Sequence, residues 1–151
     1  MTITIEFDAL LKDFKEKSHL EVAVIADHDA RYRAEAGTEK IAEIKRDLGE
    51  GARLLEGRCA RFLSGDMPES ANNAVPSDSS YIYVFDFTER RGYANAEALS
   101  ALIESFIVHY ALSKFYASVS QAELSNKHST IALEASNNID ILLYTKHPPR
   151  I

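Results

Sequence analysis

Leu99-Ser100-Ala101-Leu102-Ile103-Glu104-Ser105-Phe106-Ile107-Val108-His109-Tyr110-Ala111-Leu112 is the stretch that decides the fold. Leu99, Leu102, Ile103, Phe106, Ile107 and Tyr110 recur at helical spacing along one side. Val108, Leu112, Phe115 and Val119 lie on another. A helix apolar on nearly every side is stable only when other elements surround it, so it is central or sits at an interface. With its flanks it spans residues 95–119. A second helix reads from 121 to about 146, with the stripe Leu124, His128, Ile131, Ala135, Ile139 and Leu142, and Pro148-Pro149 stop it. Ser120-Gln121-Ala122-Glu123 has the form of a capping box that starts this helix. Helices joined by so short a turn are expected to pack antiparallel.

Working outward, Tyr81-Ile82-Tyr83-Val84-Phe85-Asp86-Phe87 is aromatic and β-branched and reads as a strand, followed by a turn at Arg91-Gly92-Tyr93. Residues 2–7 alternate, with Ile3, Ile5 and Phe7 on one side, and are a candidate partner strand. From 8 to about 36 there is no Gly or Pro. Phe7, Leu11, Phe14, Ser18, Val22, Ile25, Asp29 and Tyr32 mark one face of a helix there. Gly37 suits its C-cap and Thr38 the N-cap of the next helix. That helix carries Ile41, Ile44, Leu48, Gly51, Ala52, Leu55, Cys59 and Phe62 on one stripe and ends at Gly65. Gly49, Gly51 and Gly57 each cost up to ~1 kcal/mol of helix propensity. Either a neighbouring backbone approaches closely there, or the helix breaks near Gly49. Residues 65–80 are rich in Ser, Asn, Asp and Pro and read as a mobile loop. The expected fold is therefore mainly α: a four-helix bundle with a C-terminal antiparallel helical hairpin and a minor two-stranded β element. It forms one domain over 1–151, made of an N-terminal strand and helical pair (1–64), the loop, and a strand plus hairpin (81–151).

Composition narrows the function. A chain of 151 residues that is 46% hydrophobic and 26% charged can bury a core without disulfides or metal. Its 17 Lys+Arg against 23 Asp+Glu give a net charge of −6, poorly suited to binding a phosphate backbone. Glu89-Arg90-Arg91 and the tail cations Lys146, His147 and Arg150 read as solvated charge. The single cysteine, Cys59, forbids an internal disulfide and fits a reducing compartment. The N-terminus has no basic, apolar leader, and no apolar run reaches membrane-spanning length. The expected location is cytoplasmic, with no nucleic acid or membrane as partner.

Of the polar features, His109 and His128 are the sharpest. With a turn near Val119 they fall at similar height on facing helices, each on an apolar stripe. Two histidines meeting in a core can bind a metal or respond to pH. The plainer reading is two buried histidines hydrogen-bonded to hydroxyls such as Ser105 or Ser125. Glu16-Lys17-Ser18-His19 supplies one Glu-x-x-His spacing, whereas a di-metal bundle needs two. Asp27-His28-Asp29 is metal-like in composition only, because consecutive helical residues diverge by about 100°. Gly49-Glu50-Gly51 is followed by Leu54 and no Gly-Lys-Ser/Thr, so it is not a phosphate loop. There is no Gly-x-Ser-x-Gly elbow, and Cys59 on an apolar stripe reads as packing. No catalytic residue and no cofactor are expected.

The hairpin from Leu102 to Leu112 and the closing Leu142-Leu143-Tyr144-Thr145-Lys146-His147-Pro148-Pro149-Arg150 resemble small uncharacterised helical proteins encoded in structural-gene modules of bacterial prophages. The rest of the chain is similar to them in layout alone. The resemblance implies a non-enzymatic assembly protein, a head–tail or tail component whose partners are other proteins or copies of itself. Its expected contact elements are Tyr81, Tyr83, Phe85 and Phe87 on the aromatic strand, the 65–80 loop, and Arg150. The alternative is a helical bundle that binds a metal or small molecule through His109 and His128.

Overall fold

The computed structural model describes residues 2–35, 37–63, 81–84 and 95–144. In order these form β1 (Thr2–Ile5), α1 (Phe7–Val22), α2 (His28–Ala34), α3 (Ile41–Arg58), β2 (Tyr81–Val84), α4 (Ala96–Ser118) and α5 (Ala122–Tyr144), with 3-10 turns at Thr38–Lys40 and Ala60–Phe62. The chain is mainly α. The 65–80 loop, the Arg91-Gly92-Tyr93 turn, Glu89-Arg90-Arg91, Phe85, Phe87 and the tail with Lys146, His147 and Arg150 lie outside the described residues.

The apolar helix is the hub: α4 touches α1, α3, α5 and β1. It starts where the Asn95 side chain accepts the amides of Glu97 and Ala98 at 2.9 and 3.3 Å. Leu99, Ile103, Ile107, Leu112 and Phe115 are fully buried. The Phe14 ring from α1 meets Phe115 edge to face at 5.6 Å between centroids. Along α5, His128 faces His109 and Ser125 faces Ser113. Partners thus rise along one helix as they fall along the other. The serines exchange hydroxyl-to-carbonyl bonds of 3.0 and 2.9 Å, which tie the two helices together without a free hydroxyl.

The turn between α4 and α5 differs from the capping box expected at Ser120. Ser120 has a left-handed φ of 61°. Its amide donates to the Ala117 carbonyl, and the Gln121 amide donates to the Tyr116 carbonyl at 2.9 Å. This is a Schellman closure of α4, with serine at the position glycine usually holds. An L side chain there costs roughly 1 kcal/mol. Ser120→Gly is therefore expected to stabilise the protein by about that amount, read as a higher urea midpoint at unchanged m-value. An unchanged or lower midpoint would show that the turn carries no such strain.

The first helical stretch is also divided. α1 ends at Val22 and α2 begins at His28. Asp27 caps α2 by accepting the amides of Asp29 and Ala30, and Arg31 donates from Nε and Nη2 to the Ile25 carbonyl at 2.9 and 2.6 Å. These local bonds outweigh the continuing apolar period. Tyr32, expected on the inner face, is exposed. Nor do Gly37 and Thr38 act as caps: α2 closes at Glu35, Gly37 is not left-handed, and α3 follows Lys40 without a side-chain cap.

α3 does not break at Gly49. A Cβ on Gly51 would come within 3.0 Å of Tyr110 Cδ1 and 3.5 Å of the Ile107 Cα, so this glycine serves close approach of α3 to α4. Gly57 is open to solvent. The helix ends at Arg58, short of Gly65, and Cys59 is its C-cap rather than a mid-helix residue.

β1 and β2 pair antiparallel, with Ile3 opposite Tyr83 and Ile5 opposite Tyr81. The alternation in β1 buries Ile3 and Ile5 and leaves Thr4 exposed. Among the described residues, no helix is long and apolar enough to cross a membrane.

Candidate functional site

Tight packing of α5 on α4 brings the two predicted histidines together. Their Nδ1 atoms are 2.7 Å apart and the rings stack at 4.9 Å between centroids. His109 is 9% exposed and His128 2%. On the far side, His128 Nε2 lies 2.6 Å from Glu21 Oε1. The Tyr116 hydroxyl donates to the same oxygen at 3.3 Å, and Lys127 Nζ donates to Oε2 at 2.9 Å. The Tyr116 ring also stacks on His128 at 5.5 Å. Three helices, α1, α4 and α5, thus meet through one carboxylate and two imidazoles.

One proton assignment satisfies this geometry with both rings neutral. His109 donates from Nδ1 to His128 Nδ1, and His128 donates from Nε2 to the Glu21 carboxylate. Burial favours the neutral rings. It pushes His109 down to about 4, assisted by the neighbouring His128. Burial also lowers His128, although the hydrogen bond and charge of Glu21 oppose the shift. For Glu21, burial works against ionisation, but hydrogen bonds from Lys127 and His128 prevail and hold the carboxyl below its usual range. The Tyr116 hydroxyl is pushed up by burial and by the Glu21 charge. At neutral pH the cluster is a carboxylate receiving three donors, with a second imidazole hydrogen-bonded behind the first.

No known protein family, curated protein or solved structure matches this chain.

The chemistry available to the cluster follows from its geometry. Two imidazole nitrogens on one zinc ion, each at 2.0–2.1 Å, stand roughly 3.3 Å apart. At 2.7 Å the pair is in hydrogen-bond contact, and a shared ion requires it to open. Among the described residues, no group of three or more His, Cys, Asp or Glu side chains converges as metal ligands. The Ser125 hydroxyl, one of the expected histidine partners, bonds to Ser113 instead.

The remaining sequence candidates are dispersed. Glu16 and His19 are exposed on α1. They line an open cleft of about 810 Å³ with Lys15, Val22, Arg31 and Ile41, and neither His109 nor His128 lines it. Asp27, His28 and Asp29 are exposed at the start of α2. The Cys59 thiol is buried and pushed up to about 12 by burial, which suits packing and not nucleophilic attack. Tyr81 and Tyr83 take their places in β2, opposite Ile5 and Ile3. The other expected contact residues, Phe85, Phe87 and Arg150, are outside the described residues.

Sequence reasoning missed Glu21, Tyr116 and Lys127. A faint signal existed for Glu21: it lies one turn beyond Ser18 and two turns beyond Phe14, at the edge of the buried stripe. It also missed Asp47, which is buried in α3. Burial raises its carboxyl to about 6, with Glu43 adding to the shift and Lys114 and Arg46 opposing it. Lys114 sits 3.6 Å from Glu50.

Proposed function

We propose that this chain works by protein contact and is not an enzyme: an assembly protein built as a four-helix bundle on the α4–α5 hairpin, with a small strand pair at its side. The observation that carries this reading is the outer side of α5. Leu133, Ile141 and Tyr144 are 58%, 60% and 45% exposed there. Large apolar groups aligned on one helix face lose less to water when a partner covers them. The position of the histidine cluster, with its ring nitrogens at Nδ1 of both residues and Nε2 of His128 taken up in hydrogen bonds between helices, agrees with a structural role. The phage head–tail or tail role rests on the sequence resemblance of the C-terminal half. Native mass spectrometry of the protein isolated from its own cells tests the reading. A stoichiometric assembly with itself or another protein is expected. A protein that is monomeric both in that state and when purified alone would overturn it.

The alternative, a bundle that binds a metal or small molecule, is favoured by the meeting of His109 and His128. It requires zinc to raise the melting temperature and His128→Ala to abolish that rise. An unchanged melting curve with excess zinc removes the metal form of this reading.

A further inference from the structure

We propose that the seam between α3 and α4 at Asp47 receives the guanidinium of an arginine from a partner protein. This rests on the assembly reading and names the chemistry of the partner. Glu43, Asp47 and Glu50 follow one another at steps of four and three, so they share one face of α3. Leu54, one turn further along that face, is 51% exposed. Asp47 is the inner member of the row. It is 8% exposed, whereas Glu43 and Glu50 are half-buried.

The Asp47 carboxylate is left unsatisfied. Among the described residues no hydrogen bond or ion pair reaches it. The cations nearby are directed elsewhere. Lys114 sits 3.6 Å from Glu50, and its Nζ lies 5.8 Å from the centre of the Tyr110 ring. Arg46 is exposed and leaves α3 about 100° away from Asp47. Burial, with Glu43 adding to it, raises the Asp47 carboxyl to about 6, so at neutral pH the chain holds a charged, buried and unpaired group. Buried polar groups have partners as a rule, and an orphan carboxylate marks a place that a ligand completes. The place is not sealed. Among the described residues, Ser136 Oγ is the sole side-chain polar atom both unpartnered and shut off from solvent, so the Asp47 oxygens are reachable from outside.

The nature of the occupant follows from charge and spacing. Three carboxylates on one face call for a cation. Among the described residues no three acidic, histidine or cysteine side chains converge closely enough to hold a metal ion. A guanidinium reaches further than a metal, because its five N–H donors lie in a planar fork that spans two acceptors at once. It is also more weakly hydrated than an ammonium and gives up water more readily to enter a half-buried seam. Its aliphatic stem finds apolar surface at Leu54. The net charge of −6 favours the approach of a basic partner.

Titration of the full chain with N-acetyl-arginine amide at pH 7 and constant ionic strength, followed by NMR, tests the site. The probe is expected to shift the side-chain carboxyl signals of Asp47 and Glu50 and to lower the pH at which Asp47 titrates. N-acetyl-lysine amide should bind less tightly, and neutral N-acetyl-citrulline amide and magnesium chloride should have no effect. Asp47→Asn should weaken the arginine probe at least about tenfold while raising the melting temperature, a pairing that a merely structural residue does not give. Glu123→Gln removes the same charge from the exposed start of α5 and should bind as the wild type does. In native mass spectrometry of protein isolated from its own cells, Asp47→Asn should lose the partner. No shift with the arginine probe, equal shifts from any of the other three, or an assembly unchanged by Asp47→Asn would each overturn the proposal. The last result would leave the assembly reading standing, whereas a wild-type chain without any assembly would remove that reading and this partner with it.

Discussion

Glu21→Ala is expected to destabilise the protein by on the order of 3 kcal/mol at pH 7.5. The carboxylate accepts from His128 Nε2, the Tyr116 hydroxyl and Lys127 Nζ. Removing it leaves the imidazole N–H of a ring that is 2% exposed without an acceptor, together with a half-satisfied phenol. Lys127 is exposed and returns to water at little cost. The loss therefore sits in the buried donors, and Glu21→Gln should recover about half of it, because an amide oxygen still accepts from His128. Urea midpoints at constant m-value measure both effects. The double variant Glu21→Ala with His128→Ala should lose less than the sum of the singles by at least about 1 kcal/mol, the mark of a direct contact. Additive losses, or an Ala variant within about 0.5 kcal/mol of wild type, would show that the carboxylate does not hold the three helices together.

The helical class was legible because it follows from side-chain patterns that survive tertiary packing. α4 is apolar all round and became the hub, and Ile3 and Ile5 alternate and face the core. Helix ends were less legible, since they turn on single hydrogen bonds. Asp27 looks like any polar residue within a long period until its carboxylate is seen to accept two amides. Ser120 matches a capping box, yet its backbone closes the helix before it. At Gly51 a periodicity argument leaves two outcomes open, a break or a close approach. Only the position of Ile107 on another helix separates them.

The candidate site divides the same way. His109 and His128 lie at comparable distances either side of Val119, and a turn near that residue is enough to set them level. Glu21 comes from a helix distant in sequence, and no local pattern says on which side of α4 and α5 the helix α1 lies. Asp47 was hidden for a related reason. It sits between Arg46 and Leu48 in a stretch rich in charge, and its burial depends on where α4 lies.

Asp47 and His109 together make the pH dependence of stability an informative measurement, because they act with opposite sign in overlapping windows. His109 has an ordinary value of 6.5 and titrates at about 4 in the folded chain. As pH falls from 6.5 to 4, the unfolded chain takes up that proton first, so stability drops by on the order of 3 kcal/mol. Asp47 runs from an ordinary 3.8 to about 6 when folded. Over pH 6 to 4 the folded chain takes up this proton first, so stability rises by a similar amount as pH falls and is lost again as pH climbs through 6. The lowering of His128 adds to the His109 effect, and the lowered Glu21 adds a further loss at still more acid pH. The wild-type curve should therefore fall only shallowly between pH 6 and 4, because Asp47 offsets much of the loss from the two histidines. Asp47→Asn removes one arm. It should gain about 2 kcal/mol at pH 7, where the native carboxylate is charged and buried, and should lose stability steeply from pH 6.5 to 4. His109→Leu removes the other arm and should become more stable as pH falls from 6 to 4. Parallel pH profiles for wild type and both variants would mean that neither group is held away from its ordinary value. The buried histidine pair would then be no barrier to protonation, and the account of the cluster as neutral rings locked behind a carboxylate would fail.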